Sequence, residues 1–359
     1  MPTRIIGIMS GSSLDGLDMA LCTFEATDPQ VTWKILEAQT VSYSPEWQSN
    51  LKRAAQGSGF ELMKLDADFG KFIGTQVRQW MEEKHLAVDF VASHGHTVFH
   101  EPGLHFTTQI GSGAQIASIT QLDTITDFRS ADVAHGGQGA PLAPIADREL
   151  FSGYDGYLNL GGIANISIRI NETTWKARDI GPCNQALNFL SEKIGKTYDQ
   201  DGKIAATGQC LSSVQSDLVN YFHPHGETPK SLSNQTIAST WISYLAQSKY
   251  PVADLMRSVA EAISDLIIDH IIAMIPSPLR ILVTGGGAHN SFLFQSLAQK
   301  GIPHHIQFEK PDSLIIDYKE SLLLAYLGWL NLHGRAFRIH DLTGSTMDSI
   351  GGAYYKASR

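Results

Sequence analysis

Three turns of small residues are placed to do chemistry on phosphate. In RIIGIMSGSSLDGLDMALCTF (Arg4 to Phe24), Ser10-Gly11-Ser12-Ser13 strips side chains from a turn, and Asp15-Gly16 supplies a hairpin bend before Leu17 and Asp18. Backbone N–H groups and hydroxyls bared in this way suit a polyphosphate, although a hairpin needs no ligand to explain it. The shape recurs at Gly161-Gly162-Ile163-Ala164-Asn165, between two apolar stretches. A third turn, Gly285-Gly286-Gly287 after Thr284, lets a backbone approach a flat ring or a phosphate closely. Asp179 stands ahead of Gly181-Pro182, where Pro182 is suited to begin a helix. That places the carboxylate at a helix mouth, where the dipole favours its ionised form; simple capping is the alternative. Ser93-His94-Gly95-His96-Thr97 offers a His-x-His pair with no third ligand at a recognisable spacing, so hydrogen-bonding roles are expected rather than metal.

The elements that must position these residues alternate between strand and helix periods. Arg4–Met9 and Leu17–Phe24 read as strands, and Val31–Tyr43 completes an antiparallel meander. Phe60–Lys84 has helical spacing. Val88–Ala92 is a strand whose end delivers His94 and His96, the side of an open α/β sheet where ligands sit. A strand ending at Asp127 leads to Arg129 and a polar, Gly-rich loop through Leu142, which reads as a cleft lining, a hinge, or both. Strands at Gly156–Leu160 and Ile166–Ile170 flank the second turn. Ala253–Ile275 is a long helix, Arg280–Thr284 a buried strand, Asp317–Leu332 a helix with Glu320 in its first turn, and Met347–Tyr355 a return to the first domain.

The chain has 359 residues, room for two domains, and its composition (43% hydrophobic, 18% charged) is that of a globular protein. A net charge of −9 without any basic tract argues against nucleic acid as a partner. Neither a signal-peptide core nor a membrane-length apolar run is visible. Cys22, Cys183 and Cys210 form no CxxC pair, which suits free thiols in a reducing cytoplasm.

In order, the motifs Gly11-Ser12-Ser13-Leu14-Asp15-Gly16-Leu17-Asp18, Ser93–Val98, Asp127–Leu142, Leu160–Asn165, Asp179–Pro182 and Thr284–Gly287 resemble the 1,6-anhydro-N-acetylmuramic acid kinase family over nearly the whole chain. The resemblance implies an α/β, two-domain actin-like ATPase (ribonuclease H-like) fold, with a central mixed sheet in each domain and the active site in the interdomain cleft. The expected domains are 1–134 plus 345–359, and 135–344. Ser12 replaces the family's usual Thr, His96 a Gln and Cys183 a Gly. Pro229-Lys230-Ser231 matches, but Leu232-Ser233-Asn234-Gln235 does not.

The reaction implied is opening of the sugar's 1,6-anhydro ring by water with transfer of a phosphoryl group from ATP to O6, giving N-acetylmuramic acid 6-phosphate in peptidoglycan recycling. By resemblance Asp179 is the general base, and Glu320 orients the water or the sugar. Gly11 to Asp18, Gly161, Gly162 and Asn165 hold phosphates bridged by Mg2+, and Gly285, Gly286 and Gly287 lie against adenosine. His96, Arg129, Asp179 and Glu320 meet the sugar, with Arg129 on its lactyl carboxylate or else in a salt bridge. A homodimer is implied, for which the apolar face of Leu322–Leu332 is one candidate and burial within the monomer another. The competing readings are a kinase for another sugar or carboxylic acid of the same superfamily, and a non-catalytic ATP-dependent sensor.

Overall fold

The computed structural model describes residues 2–11, 14–27, 30–171, 174–224, 232, 234–275 and 278–358. The chain divides into two compact units, Met1–Ser152 with Tyr318–Arg359, and Gly153–Asp317.

The first unit opens with β1 (Thr3–Ser10), β2 (Gly16–Thr27) and β3 (Gln30–Ser42), the expected antiparallel meander. β4 (Phe90–Ser93) then pairs parallel to β1. β5 (His96–Glu101) and β6 (Phe106–Ile110) form a separate hairpin, and β7 (Asp123–Thr126) pairs parallel to β4. The C-terminal strand Ala353–Tyr355 closes the edge beside β7, giving the order C-terminal strand, β7, β4, β1, β2, β3. Ile6, Ile8, Leu17 and Met19 bury against Phe69, Ile73, Val77 and Trp80 of helix Gly59–Lys84. That helix starts on a capping box in which Ser58 and Glu61 satisfy each other's backbone N–H groups.

Helix Ser313–Leu332 lies on β1 because Gly7 has no side chain. A Cβ there would collide with the Ser321 carbonyl and sit 2.6 Å from the Ala325 nitrogen. The helical backbone is interrupted at Tyr318 (φ −118°, ψ 19°), where the unit boundary falls. The division differs from the boundaries expected at 134/135 and 344/345. Residues 135–152 and 318–344 belong with the first unit, since this helix packs on β1 and Trp33 of β3 donates to the Leu150 carbonyl at 3.0 Å. Leu322, Leu323, Leu324, Leu327 and Leu330 are all buried within the chain, so they offer no dimer face.

The second unit comprises β8 (Gly156–Leu160), β9 (Ile163–Arg169), β10 (Trp175–Pro182), β11 (Leu279–Thr284) and β12 (Ile306–Glu309). Its order is β10-β9-β8-β11-β12, with β8 and β9 antiparallel and β11 parallel to both β8 and β12. Helix Val252–Met274 covers the sheet with Leu255, Val259, Ile263, Leu266 and Ile267. In both units a meander of antiparallel strands continues into parallel ones, so the expected α/β class with a mixed sheet in each unit is what the chain adopts.

Candidate active site

Within the first unit the charged candidates converge at the carboxyl ends of β1, β4 and β7. β1 ends at Ser10, which pairs with Leu17, and β2 begins at Gly16. Leu14, among the described residues between the two strands, is left-handed (φ 57°), with Gln48 Nε2 donating to its carbonyl at 3.1 Å. Gly16, expected as a turn residue, lies in β2. A Cβ there would meet Thr40 Cγ2 at 2.7 Å and the Val41 carbonyl at 2.8 Å, so its small size serves close strand packing. Ser12 and Ser13 lie outside the described residues.

Asp18 and Glu320 are clasped together by helix Ser313–Leu332. Thr40 Oγ1 donates to Asp18 Oδ1 at 2.5 Å and lies 3.2 Å from the Tyr318 hydroxyl, while Ser321 Oγ donates to the Asp18 carbonyl at 3.1 Å. Glu320 reaches solvent on one side yet is ringed by protein. Desolvation, then Asp18 and Asp15, push its carboxyl above the usual range, opposed by Lys319 and Arg129. The Lys319 ammonium is already committed to the buried Asp147 carboxylate at 2.5 Å, so Lys319 is not a loose counterion for Glu320.

Arg129 follows β7. Its Nε donates to His94 Nε2 and its Nη1 to the Gly139 carbonyl, both at 2.8 Å. Asp132 fixes the Gly-rich loop by accepting from the Gly139 N–H at 2.7 Å and from Thr343 Oγ1 at 2.8 Å. His96 is buried with Nδ1 3.2 Å from Ser10 Oγ, which also accepts from the Tyr43 hydroxyl at 2.7 Å. Burial lowers the His96 pKa, so the ring is neutral near pH 7. No group of three or more metal-ligating side chains occurs among the described residues.

In the second unit the neutral candidates converge. β8 ends at Leu160, and the Gly161-Gly162 turn presents its carbonyls to the start of helix Asn184–Glu192. Gly161 O accepts from the Asn184 N–H at 3.1 Å and Gly162 O from Cys183 at 2.9 Å. β11 ends at Thr284, and Gly285 takes φ 83° there. A Cβ on Gly285 would collide with Asn159 Oδ1 and lie 2.9 Å from the Leu160 carbonyl carbon; one on Gly287 would lie 2.7 Å from Leu160 Cβ. The Gly285–Gly287 turn therefore packs against the end of β8, directly before the Gly161-Gly162 turn. Asn184 Nδ2 joins them by donating to the Leu160 carbonyl at 3.0 Å. Sequence reasoning left out Asn159 and Asn184; each neighbours a quoted motif, the one signal that pointed to them.

Asp179 is not at a helix mouth. It lies inside β10, opposite Asn165 of β9, where the register slips between Asp179 and Gly181. Pro182 ends that strand, and the helix starts only at Asn184. What orients the carboxylate is the Leu232 N–H, donating to Oδ2 at 2.8 Å. Among the described residues Oδ1 accepts no hydrogen bond.

Residues 3–357 match the family model for anhydro-N-acetylmuramic acid kinase. The chain belongs to that family. A curated anhydro-N-acetylmuramic acid kinase from Synechococcus elongatus is 32% identical, with 97% of this chain and 98% of that protein aligned. Those of Aliivibrio fischeri (30% identical; 99% and 100% covered) and Hydrogenovibrio crunogenus (31%; 99% and 98%) carry the same name. Among solved structures, the activator of 2-hydroxyisocaproyl-CoA dehydratase from Clostridium difficile with bound ADPNP aligns at TM-score 0.45 and 13% identity, covering 90% of this chain and 93% of that one. As a member of the anhydro-N-acetylmuramic acid kinase family the chain is a phosphotransferase of peptidoglycan recycling, and the alternative kinase and sensor readings are not favoured. No helix among the described residues is long and apolar enough to cross a membrane.

Proposed function

We propose that the enzyme couples hydrolytic opening of 1,6-anhydro-N-acetylmuramic acid to phosphorylation of O6 by ATP in the cytoplasm. Water attacks C1, Asp179 takes a proton from it, and the C1–O6 bond breaks. O6 takes the γ-phosphoryl group, ADP leaves, and the proton on Asp179 passes to solvent. The observation that carries this is the Asp179 carboxylate: one oxygen is fixed by the Leu232 amide, and the other accepts no bond from the described residues.

Glu320 orients the water or the sugar, its raised proton affinity suiting a group that shares a hydrogen bond with a hydroxyl. Arg129 takes the lactyl carboxylate. Gly11 to Asp18, Gly161, Gly162 and Asn165 hold the phosphates, and Gly285–Gly287 lie against the adenosine. Asp15 and Asp18, whose charges both raise the proton affinity of Glu320, would hold Mg2+; the ion would take most ligands from phosphate and water, so no cluster of three side chains is needed. When bound it neutralises charge building on the transferring phosphoryl group. Dimerisation is proposed from the family alone, and light scattering tests it.

Turnover in 18O-labelled water decides the reaction. Label at C1 of a product phosphorylated on O6 is expected. Phosphorylated product without label at C1 would remove water, and Asp179 as its base, from the mechanism.

A further inference from the structure

We propose that His94 is the positioning residue for Arg129: a neutral imidazole at the end of β4 that sets which edge of the guanidinium faces the substrate carboxylate. This rests on the reading that Arg129 takes that carboxylate.

A guanidinium has only donors, so the 2.8 Å contact from Arg129 Nε makes His94 Nε2 the acceptor. The ring's proton therefore sits on Nδ1, which donates to the Gly95 carbonyl at 3.1 Å. Gly95 at φ 69° makes the local turn possible, and a Cβ there would collide with the Ile110 carbonyl. His94 is only 4% exposed. Its burial and the facing Arg129 charge lower its pKa to about 3, so it does not become a second cation against the guanidinium.

From the other side Gly139 accepts from Nη1, and the Gly139 N–H donates to Asp132, whose other carboxylate oxygen accepts from Thr343 Oγ1. Two guanidinium nitrogens are thus spoken for. Nη2 makes no hydrogen bond among the described residues, and with the second hydrogen of Nη1 it forms the fork that a carboxylate fits. Without His94 the fork swings about Nη1 and its direction is lost.

The test is calorimetric binding of two sugars, 1,6-anhydro-N-acetylmuramic acid and 1,6-anhydro-N-acetylglucosamine, which lacks the lactyl carboxylate. His94→Leu is expected to weaken binding of the acid by roughly tenfold to a hundredfold. Binding of the carboxylate-free sugar and of ATP should stay within about twofold, because neither meets the fork. His94→Gln, whose amide oxygen can accept from Nε, should restore most of the loss, and Arg129→Leu should reproduce it. If Arg129→Leu abolishes discrimination between the sugars while His94→Leu keeps it, the role of His94 is wrong and that of Arg129 stands. If Arg129→Leu also keeps it, the carboxylate reading falls and takes the role of His94 with it. Should His94→Leu fail to fold, 15N chemical shifts of the wild-type imidazole decide. A bare Nε2 with a proton on Nδ1 between pH 8 and 5 supports the assignment, and a protonated Nε2 overturns it.

Discussion

The two units share a strand order and differ in what they hang on it. In each, a meander of three antiparallel strands continues into parallel neighbours, so corresponding carboxyl ends open on the same side of the sheet. In the first unit those ends carry charge, with Arg129 and His94 locked together and Glu320 beside Asp18. In the second they carry glycine and asparagine, packed so closely that Gly285 meets Asn159 and Leu160. A duplicated topology thus fixes where loops open, and the residues on the loops decide whether that place holds charge or bare backbone. Asp179 is the exception, a carboxylate in the neutral unit, placed at a strand irregularity and oriented by the Leu232 N–H.

The sharpest way to break this contrast is Asp179→Asn. Turnover should fall by about 10²–10⁴-fold with nucleotide affinity nearly unchanged, read by a coupled ADP assay and calorimetry. Retained turnover would leave the second unit with no acid–base role. Next come the glycines. Gly285→Ala forces a side chain into a left-handed backbone and onto Asn159, costing roughly 2–4 kcal/mol of unfolding free energy and weakening ATP binding. Gly161→Ala brings the added Cβ to 3.3 Å from Asn159 Nδ2, a tight contact that a shift of that side chain by a few tenths of an ångström relieves, and should cost less than about 1 kcal/mol. Equal losses in urea titrations of the two variants would mean that close packing is not what Gly285 provides.

Acid sharpens the comparison further. Burial of His94 in the first unit and of His270 in the second lowers their pKa values to about 3 and about 4. In both cases the folded value lies below the unfolded one, so the unfolded chain takes up protons first. The stability due to the neutral rings is complete above about pH 6.5 and is lost as pH falls toward those lower values. For His94 alone the loss is on the order of 2 kcal/mol by pH 5. Denaturant midpoints that fail to fall between pH 7 and 5 would contradict buried, neutral rings. The smallest effect is expected from Glu320→Gln. Activity should rise with pH as Glu320 ionises, above the usual carboxylate range, and the amide should remove that limb of the rate profile while lowering turnover about tenfold at its plateau.

Much of this was legible in the sequence because it is local. The isoleucines of β1, the apolar spacing of Gly59–Lys84 and the three glycines after Thr284 each announce themselves within a few residues. What escaped depends on partners far along the chain. Gly16 reads as a turn glycine until Thr40 and Val41 come to lie against it. Asp179 reads as a helix-mouth acid because the register slip that holds it in β10 exists only through β9. The leucines of Leu322–Leu332 look like a spare apolar face until Gly7 admits their helix onto β1. Unit boundaries drawn along the sequence missed the same packing.

The unit formed from Met1–Ser152 and Tyr318–Arg359 is interrupted by the continuous stretch Gly153–Asp317. During synthesis the inner unit can therefore complete its core while the outer one still waits for the helix that rests on Gly7 and the strand that seals the edge beside β7. Until those late segments emerge from the ribosome, the isoleucines of β1 have only half their cover, and this nascent form is the stage at which chaperones have most to shield.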